Sequence, residues 1–400
     1  MTQATPLSTS GVLSPPKSVA IPVASQRLIA IDALRGFVMV IMLLDHVRET
    51  IFLHHQVSDP MAALTTDPAL FFTRISSMLC APVFVFLTGL SAWLYGQNHT
   101  KKEVSAFLIK RGAFLMLLEL FVVGIAWSGN LIPHTFWLQV IWAIGLCMIV
   151  LSSLIYLPRK AQIALGLVIV CGHNLLDGIK LDASSPFFVP WAMLHQRDVI
   201  HLGGDLIAKT TYPILPWIGV MLLGYAMGPW YAKGSDAVKR QKNLIVLGIG
   251  LVIGFVLLRA LNVYGDKPWF ITDEPVRTVM SFLALTKYPP SLLFLMPTIG
   301  VGLILLSVFE KAGEGPGLKQ LAILGGAPMF FYLLHLFVLK AFYLSGVAIW
   351  GLNQGAFFGV SVLWPVWVMW LVMIVPLYFP ARWFSNLKKR RKDLAFLRYL

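Results

Sequence analysis

Long apolar runs separated by short polar stretches recur along the chain from residue 27 onward. A helix that crosses the hydrocarbon core of a bilayer needs about 20 predominantly apolar residues, and ten segments reach roughly that length. They are 28–53, 71–96, 104–128, 135–157, 161–179, 211–231, 243–264, 288–309, 321–345 and 358–381. An eleventh segment results if residues 341–352 separate from the ninth. The pattern predicts an all-α, polytopic membrane helix bundle.

The distribution of lysine and arginine predicts the direction of these helices, because cytoplasmic loops are enriched in both. With the N-terminus inside, the inner loops and the two termini hold 21 of the 32 basic residues, and the outer loops hold six. The opposite orientation violates the rule at almost every loop. We therefore expect both termini to be cytoplasmic.

Three regions follow from the same pattern. Residues 1–26 are rich in Ser, Pro and Thr and contain no apolar stretch of signal-peptide length, which predicts a disordered cytoplasmic tail that is not cleaved. Residues 27–384 form the transmembrane domain, and residues 385–400 form a basic cytoplasmic tail.

The composition excludes an ordinary soluble protein. The chain is 58% hydrophobic and 12% charged, whereas soluble domains carry about 25% charged residues. The net charge of +14 does not indicate nucleic-acid binding, because the basic residues cluster beside membrane segments, where they contact anionic lipid. Cys80, Cys147 and Cys171 lie in apolar runs without paired spacing, so we expect neither a disulfide nor a metal site.

Ionisable side chains inside the membrane segments are the main functional signal, because such residues are costly in lipid and usually mark functional sites. In the first segment, Asp32 and Arg35 lie near the cytoplasmic end, three residues apart on one helix face. Asp45 and His46 lie roughly 20 Å further out at 1.5 Å of rise per residue. The first segment therefore carries one polar group near each membrane face.

Further ionisable residues, from the first segment, from the residues just after it and from other segments, project to the same outer depth as Asp45 and His46. They are Arg48, His54, His55, Arg74, Lys287, His335 and Lys340. Histidine is suited to proton transfer near neutral pH. If Asp45 pairs with Arg48 or Arg74, His46 is left free to act as a base. Structural ion pairs and a packing role for His335 explain the individual residues equally well. They do not explain why so many ionisable residues lie at the same depth.

Several stretches resemble one family of membrane enzymes. The opening R-L-x-x-I-D-A-L-R-G-x-x-x-x-x-M-x-x-D-H-x-R is similar to that of acyltransferases related to heparan-alpha-glucosaminide N-acetyltransferase. So are FFTRISSMLCAPVFVFLTG, YPILPWIGVMLLGYAMG, TKYPPSLLF and GGAPMFFYLLHLFVLK, so the resemblance covers residues 27 to about 340. It identifies the chain as a bacterial relative, located in the cytoplasmic (inner) membrane.

The resemblance implies the transfer of an acyl group, most simply acetyl, from cytosolic acyl-CoA to an amine or hydroxyl of a sugar or glycan on the far side. Lysosomal members place their key histidine just after the first helix, where His54 and His55 stand here. The choice of base among His46, His54 and His55 therefore stays open, with Arg48, Arg74 or His335 stabilising the oxyanion. Asp45 completes this candidate catalytic set.

On the cytoplasmic side, basic residues are expected to hold the phosphates of the acyl-CoA donor. The candidates are Arg35, paired with Asp32, together with Lys101, Lys102 and Arg111. No permanently bound cofactor is predicted, and a homodimer is kept open. The alternative function is a multi-pass transporter that uses the same buried charges as a substrate or proton path. A structural scaffold is a third hypothesis.

Overall fold

The computed structural model describes residues 23–391, 393–394 and 397, and the side chains from residue 29 onward. Residues 1–22 of the predicted tail at 1–26, and most of 392–400, lie outside these residues. The helices are α1 (Val23–Ile51), α2 (Pro68–Ser76), α3 (Cys80–Gly96), α4 (Lys101–Leu117), α5 (Gly124–Ser128), α6 (Val140–Leu154), α7 (Arg159–Gly172), α8 (Phe188–Leu194), α9 (Leu215–Met227), α10 (Ala237–Leu261), α11 (Pro275–Leu283), α12 (Leu292–Ala312), α13 (Pro316–Gly325), α14 (Pro328–Trp350) and α15 (Trp364–Arg390).

Short irregular turns join or extend several of these helices. A 3₁₀ turn at Ser77–Leu79 joins α2 to α3, and a π-helical segment at Leu118–Val123 joins α4 to α5. Two further 3₁₀ turns, His173–Leu176 and Gly228–Tyr231, extend α7 and α9. The predicted segments at 71–96, 104–128, 161–179 and 211–231 are therefore helical over most of their length but not regular throughout.

The prediction of a mainly helical membrane protein is confirmed. Among the described residues, five helical stretches are long and apolar enough to cross a membrane: Pro68–Gly96, α10, α12, α14 and α15. Helix α1 has 29 residues but carries five charged side chains between Asp32 and Glu49. Helices α6, α7 and α9 are shorter, with 13 to 15 residues each. The count of ten spans and the orientation stay predictions.

Most helix boundaries differ from the sequence prediction by a few residues; α10, for example, begins at Ala237 rather than 243, and α15 spans Trp364–Arg390 rather than 358–381. The first helix begins at Val23 rather than 28, and the fourth begins at Val140 because Thr135–Leu138 form a strand. The ninth is two helices, since α13 ends at Gly325 and α14 starts at Pro328. Proline lacks the backbone N–H that would continue the α13 hydrogen-bond ladder. Helix α14 then runs unbroken through residues 341–350, so those residues do not separate into an extra segment.

A small sheet joins the long outer loop to the outer end of the predicted fourth segment. Strands β1 (Thr135–Leu138), β2 (Val199–Gly203) and β3 (Leu206–Thr210) are ordered β1-β3-β2. Strand β3 pairs in parallel with β1 and antiparallel with β2. The periodicity that predicted an all-α fold did not reveal these strands, because each has only four or five residues. The sheet ties the long outer loop to the start of α6.

Polar residues at the helix ends explain where several helices begin. Thr100 and Glu103 form a capping box at the start of α4, with each side chain accepting a backbone N–H of the other residue. Asp236 and Ser291 cap α10 and α12 in the same way, by accepting backbone N–H groups. Glu119, on the π-helical segment, accepts the backbone N–H of Ile141 at 3.1 Å. Its carboxylate thus stabilises the N-terminus of α6.

Close helix packing explains the glycine of the Asp32-x-x-Arg35-Gly36 motif. Helix α1 packs along α13, and a Cβ at Gly36 would overlap the backbone of Leu321. A Cβ at Gly325 would likewise overlap the backbone of Asp32. Small residues let helix backbones approach closely in membranes. The motif therefore sets the distance between α1 and the helix that leads into α14.

Candidate active site

A cavity of about 1040 Å³ lies within the helix bundle. Some but not all of the predicted catalytic residues and of the predicted donor-binding residues line it. Helices α1, α3, α4, α6 and α14 supply most of its walls. We call its end near Thr88 and Arg111 the inner end, and its end near Asp59 and Tyr288 the outer end. A volume of this size accommodates a small-molecule substrate.

His46 and His335 form a hydrogen-bonded pair at the cavity wall. Nδ1 of His46 lies 2.6 Å from Nε2 of His335, and the two rings are stacked with centroids 4.9 Å apart. His46 lines the cavity, whereas His335 is 0% exposed and stands behind it. Nδ1 of His335 lies 2.7 Å from the carbonyl oxygen of Phe331. Residues 289 positions apart thus make one polar chain.

This chain sets the tautomers of both neutral rings. A carbonyl oxygen only accepts, so Nδ1 of His335 donates to Phe331, and Nε2 of His335 must accept. Nδ1 of His46 must then donate to that nitrogen. The remaining nitrogen of His46, Nε2, is unprotonated and has no hydrogen-bond partner among the described residues. Because His46 lines the cavity, this nitrogen is available to a substrate.

Asp45 lies in a buried ionic network beside His46. It is 8% exposed, pairs with Arg74, and accepts from Nε of Arg48 at 3.1 Å. Glu49 joins the network, lying 3.0 Å from Arg48 and 3.8 Å from Arg74. The sequence predicted the pairing of Asp45 with Arg48 or Arg74; both occur. Because two carboxylates balance two guanidinium groups, neither arginine is an uncompensated cation.

The outer end is built by residues of four loops. Asp59 accepts the backbone N–H groups of Lys287 and Tyr288 at 3.0 and 2.8 Å. Burial raises the pKa of Asp59 above its usual value, although these two hydrogen bonds act in the opposite direction. The guanidinium of Arg197 lies 5.4 Å from the centre of the Tyr288 ring, and the Tyr288 hydroxyl lies 3.3 Å from that of Tyr212.

The predicted donor residues do not all reach the cavity. Asp32 and Arg35 pair at 2.8 Å, and Arg35 also donates to Ser91, but neither residue of the pair lines the cavity. Arg111 does line it, and its buried Nε has no hydrogen-bond partner among the residues described. Lys101 and Lys102 are exposed at the start of α4, away from the cavity wall.

His54 and His55 lie beyond the end of α1 and outside the cavity lining. Their rings pack against Phe52, with centroids 5.1 and 4.6 Å from its ring. Burial, with the neighbouring His55, lowers the pKa of His54 below its ordinary value. The structure therefore brings His46 and His335 together but separates His54 and His55 from them.

Sequence reasoning missed several residues that line the cavity. Asp59, Trp127, Arg197, Tyr212 and Tyr288 come from loops or helix ends, and no spacing connects them with His46. For Lys287 the sequence predicted only that it lies at the same outer depth as His46. In the structure it is 6% exposed, and its Nζ lies 5.2 Å from the ring centre of its neighbour Tyr288. The only sequence signal for this group was the density of ionisable and aromatic residues in outer loops.

The model of the family described as "Heparan-alpha-glucosaminide N-acetyltransferase, catalytic" matches residues 27–265, more than half of the chain. The chain belongs to this family. The resemblance predicted from the sequence is thereby confirmed, and the family indicates a membrane protein with transferase activity. A comparison with curated proteins finds none that matches.

The matched range contains part of the candidate site. It includes the Asp45 network, His46, Arg111 and Arg197 and ends before Lys287 and His335. The partner that sets the tautomer of His46 therefore lies outside the region that the family model recognises.

Proposed function

We propose that the protein is a membrane acyltransferase that moves an acyl group, most simply acetyl, from acyl-CoA to an amine or hydroxyl of a sugar or glycan, with His46 as the general base. The observation that carries this proposal is the polar chain from the Phe331 carbonyl through His335 to His46. It leaves an unprotonated ring nitrogen at a cavity large enough for the reacting ends of both substrates. Family membership supports the reaction class.

The transfer proceeds through a tetrahedral intermediate. The acceptor nitrogen or oxygen attacks the thioester carbonyl carbon while Nε2 of His46 takes the acceptor proton. The carbon–sulfur bond then breaks, and the departing CoA thiolate receives that proton from His46. His335 touches neither substrate; it is a positioning residue that keeps Nδ1 of His46 engaged as a donor.

The excess of positive charge in the cavity lining favours the binding of anionic substrates. Six cationic and three carboxylate side chains line it, and Asp45 and Glu49 are already paired with Arg48 and Arg74. Asp59 is then the one remaining carboxylate of the lining, against four remaining cations: Arg111, Arg197, Lys287 and Lys340. We assign Arg111, with Arg35 nearby, to the donor at the inner end. Lys287 and Arg197 are assigned to the acceptor and the developing oxyanion at the outer end.

This arrangement predicts a large activity loss at His46. The test uses purified protein in lipid nanodiscs with radiolabelled acetyl-CoA and a panel of amino sugars and neutral sugars, and it measures labelled product and free thiol. His46→Ala should lower turnover about 10²–10⁴-fold, the usual contribution of a general base. His99→Ala, at an exposed site outside the cavity, is the matched control and should retain turnover.

His54→Ala and His55→Ala separate the remaining candidates, and both should stay near wild-type turnover. Full activity of folded His46→Ala would contradict the assignment of the base. Absence of any acyl transfer or thioester cleavage by the wild type, together with solute uptake into vesicles that depends on His46, would favour the transporter hypothesis instead.

A further inference from the structure

A second histidine cluster lies on the predicted outer side, away from the cavity. His173 belongs to the turn that follows α7, Asp177 comes one turn later, and His195 follows α8. Their ligand atoms all lie within 4.8 Å of one another, and none of the three lines the cavity. No other described group of three or more His, Cys, Asp or Glu residues has this spacing.

The imidazole rings of this cluster are buried but not hydrogen-bonded. His173 and His195 are each 2% exposed, and all four of their ring nitrogens have no hydrogen-bond partner among the described residues. Nε2 of His195 lies 3.0 Å from Oδ1 of Asp177, but not at an angle that forms a hydrogen bond. A buried polar group without a partner destabilises the fold by about 1–3 kcal/mol. Two such buried rings, each with one ring nitrogen within 4.8 Å of the same carboxylate, point to a missing ligand.

We propose that His173, Asp177 and His195 bind one late first-row transition metal ion, Zn²⁺ being the expected occupant. Two imidazoles and a carboxylate are a common zinc ligand set, with bonds of about 2.0–2.2 Å. Ligand atoms in a tetrahedral site are about 3.3 Å apart by the same bond lengths. Nε2 of His195 and Oδ1 of Asp177 are already 3.0 Å apart, and the ligand atoms that lie up to 4.8 Å apart move closer on binding. Water fills the fourth position, because the Asp177 side chain is 51% exposed.

Neighbouring contacts hold the carboxylate in place for this role. Nδ2 of Asn174 donates to Oδ2 of Asp177 at 2.9 Å, which leaves Oδ1 directed at the histidines. Oδ1 of Asn174 in turn accepts the backbone N–H of Leu292 at the start of α12. Hydrogen bonds to metal-binding carboxylates commonly orient them in this way.

The site would cross-link two parts of the outer surface. His173 and Asp177 continue α7, whereas His195 leads into β2 through Arg197, which lines the outer end of the cavity. A bound ion therefore holds the segment that carries Arg197 against the end of α7. The proposal does not depend on the acyltransferase assignment, since none of its residues takes part in that chemistry.

The experiment is a metal titration of chain purified with a tag that contains no histidine and stripped with a chelator. Zn²⁺ is added and quantified by elemental analysis after desalting, and Co²⁺ is followed by its visible absorption. We expect one Zn²⁺ per chain, a higher thermal unfolding temperature with zinc than without, and no competition from Mg²⁺, which prefers oxygen ligands.

The variant series localises the ion. His173→Ala/His195→Ala and Asp177→Asn should lose the bound zinc and the thermal shift, whereas His201→Ala, at an exposed position of β2, should keep both. Failure of the wild type to retain stoichiometric zinc overturns the proposal, whatever the variants do. Zinc retained equally by folded Asp177→Asn and the double variant also overturns it, because binding then resides elsewhere.

Discussion

At the residue scale, the role of each histidine is set by the partner of its ring nitrogens. His46 donates through Nδ1 to His335 and keeps Nε2 for the cavity, and His335 has both nitrogens engaged. The ring nitrogens of His173 and His195 have no hydrogen-bond partner within the described residues. Three environments of one residue type thus indicate a base, a positioning group and a pair of metal ligands.

The positioning role of His335 is testable by two substitutions of unequal severity. His335→Ala removes the acceptor for Nδ1–H of His46, so the other tautomer becomes accessible. We expect kcat to fall by about 10²–10⁴-fold, the range for general base catalysis, with little change in the KM for acyl-CoA. The measurement is steady-state acetyl transfer with purified, monodisperse protein.

His335→Gln should restore a substantial part of the loss. A glutamine amide can donate to the Phe331 carbonyl and accept from His46 at the same time. If the alanine and glutamine variants had equal kcat, or if both changed KM instead of kcat, His335 would be a packing residue only.

At the element scale, the bundle is assembled by backbone contacts at glycines. Gly36 of α1 lies against α13, as described above. In the same way, a Cβ at Gly89 would overlap the α9 backbone at Met221, and one at Gly224 would overlap α3 at Phe86. Gly112 on α4 and Gly145 on α6 face each other in the same way. These close contacts position α1, α3, α4 and α6 as walls of the cavity, because bulkier residues would hold the helices apart.

Gly36→Ala is expected to destabilise the bundle by about 1–3 kcal/mol, the usual result of forcing a methyl group into a packed site. Its Cβ meets the backbone of Leu321, which cannot rotate away as a side chain would. Thermal unfolding in detergent, followed by size-exclusion chromatography and circular dichroism, measures the effect.

Gly250→Ala on α10 is the matched control. A Cβ there meets no atom within 4 Å, and alanine favours helix by about 1 kcal/mol over glycine. This variant should be neutral or slightly stabilised. Equal destabilisation of the two variants would show that the loss comes from glycine replacement in general and not from the contact of α1 with α13.

At the scale of the whole molecule, the proposed reaction requires that the protein has one fixed orientation in the membrane. The inner end of the cavity contains Arg111 and the outer end contains Asp59 and Arg197. The basic residues of loops and termini predict that the inner end faces the cytosol. If that orientation is right, the donor and the acceptor enter from opposite sides and meet at His46.

Single-cysteine labelling tests the orientation. Cys80, Cys147 and Cys171 are replaced by Ala, and a cysteine is introduced at His99 before α4 or at Asp205 between β2 and β3, both exposed positions. In intact cells a membrane-impermeant maleimide should label Asp205→Cys, and His99→Cys should react only after permeabilisation. The reverse pattern would invert the topology and exchange the two ends of the proposed reaction.

The sequence by itself determined the local features. Runs of apolar residues predicted helical segments because helix formation and membrane burial depend on about 20 consecutive residues. The rise of 1.5 Å per residue correctly separated Asp32 and Arg35 from Asp45 and His46 along one helix. Family motifs predicted the membership that the family model confirms.

The tertiary structure alone decided which distant side chains meet. His46 and His335 are 289 residues apart, and the cluster of His173, Asp177 and His195 joins the end of α7 to the residue after α8. Strands β1 and β3, also distant in sequence, pair in parallel. The physical reason is that periodicity and charge act on neighbours along the chain. The rotation and spacing of whole helices, by contrast, depend on glycine contacts and buried ion pairs between segments that no local pattern relates.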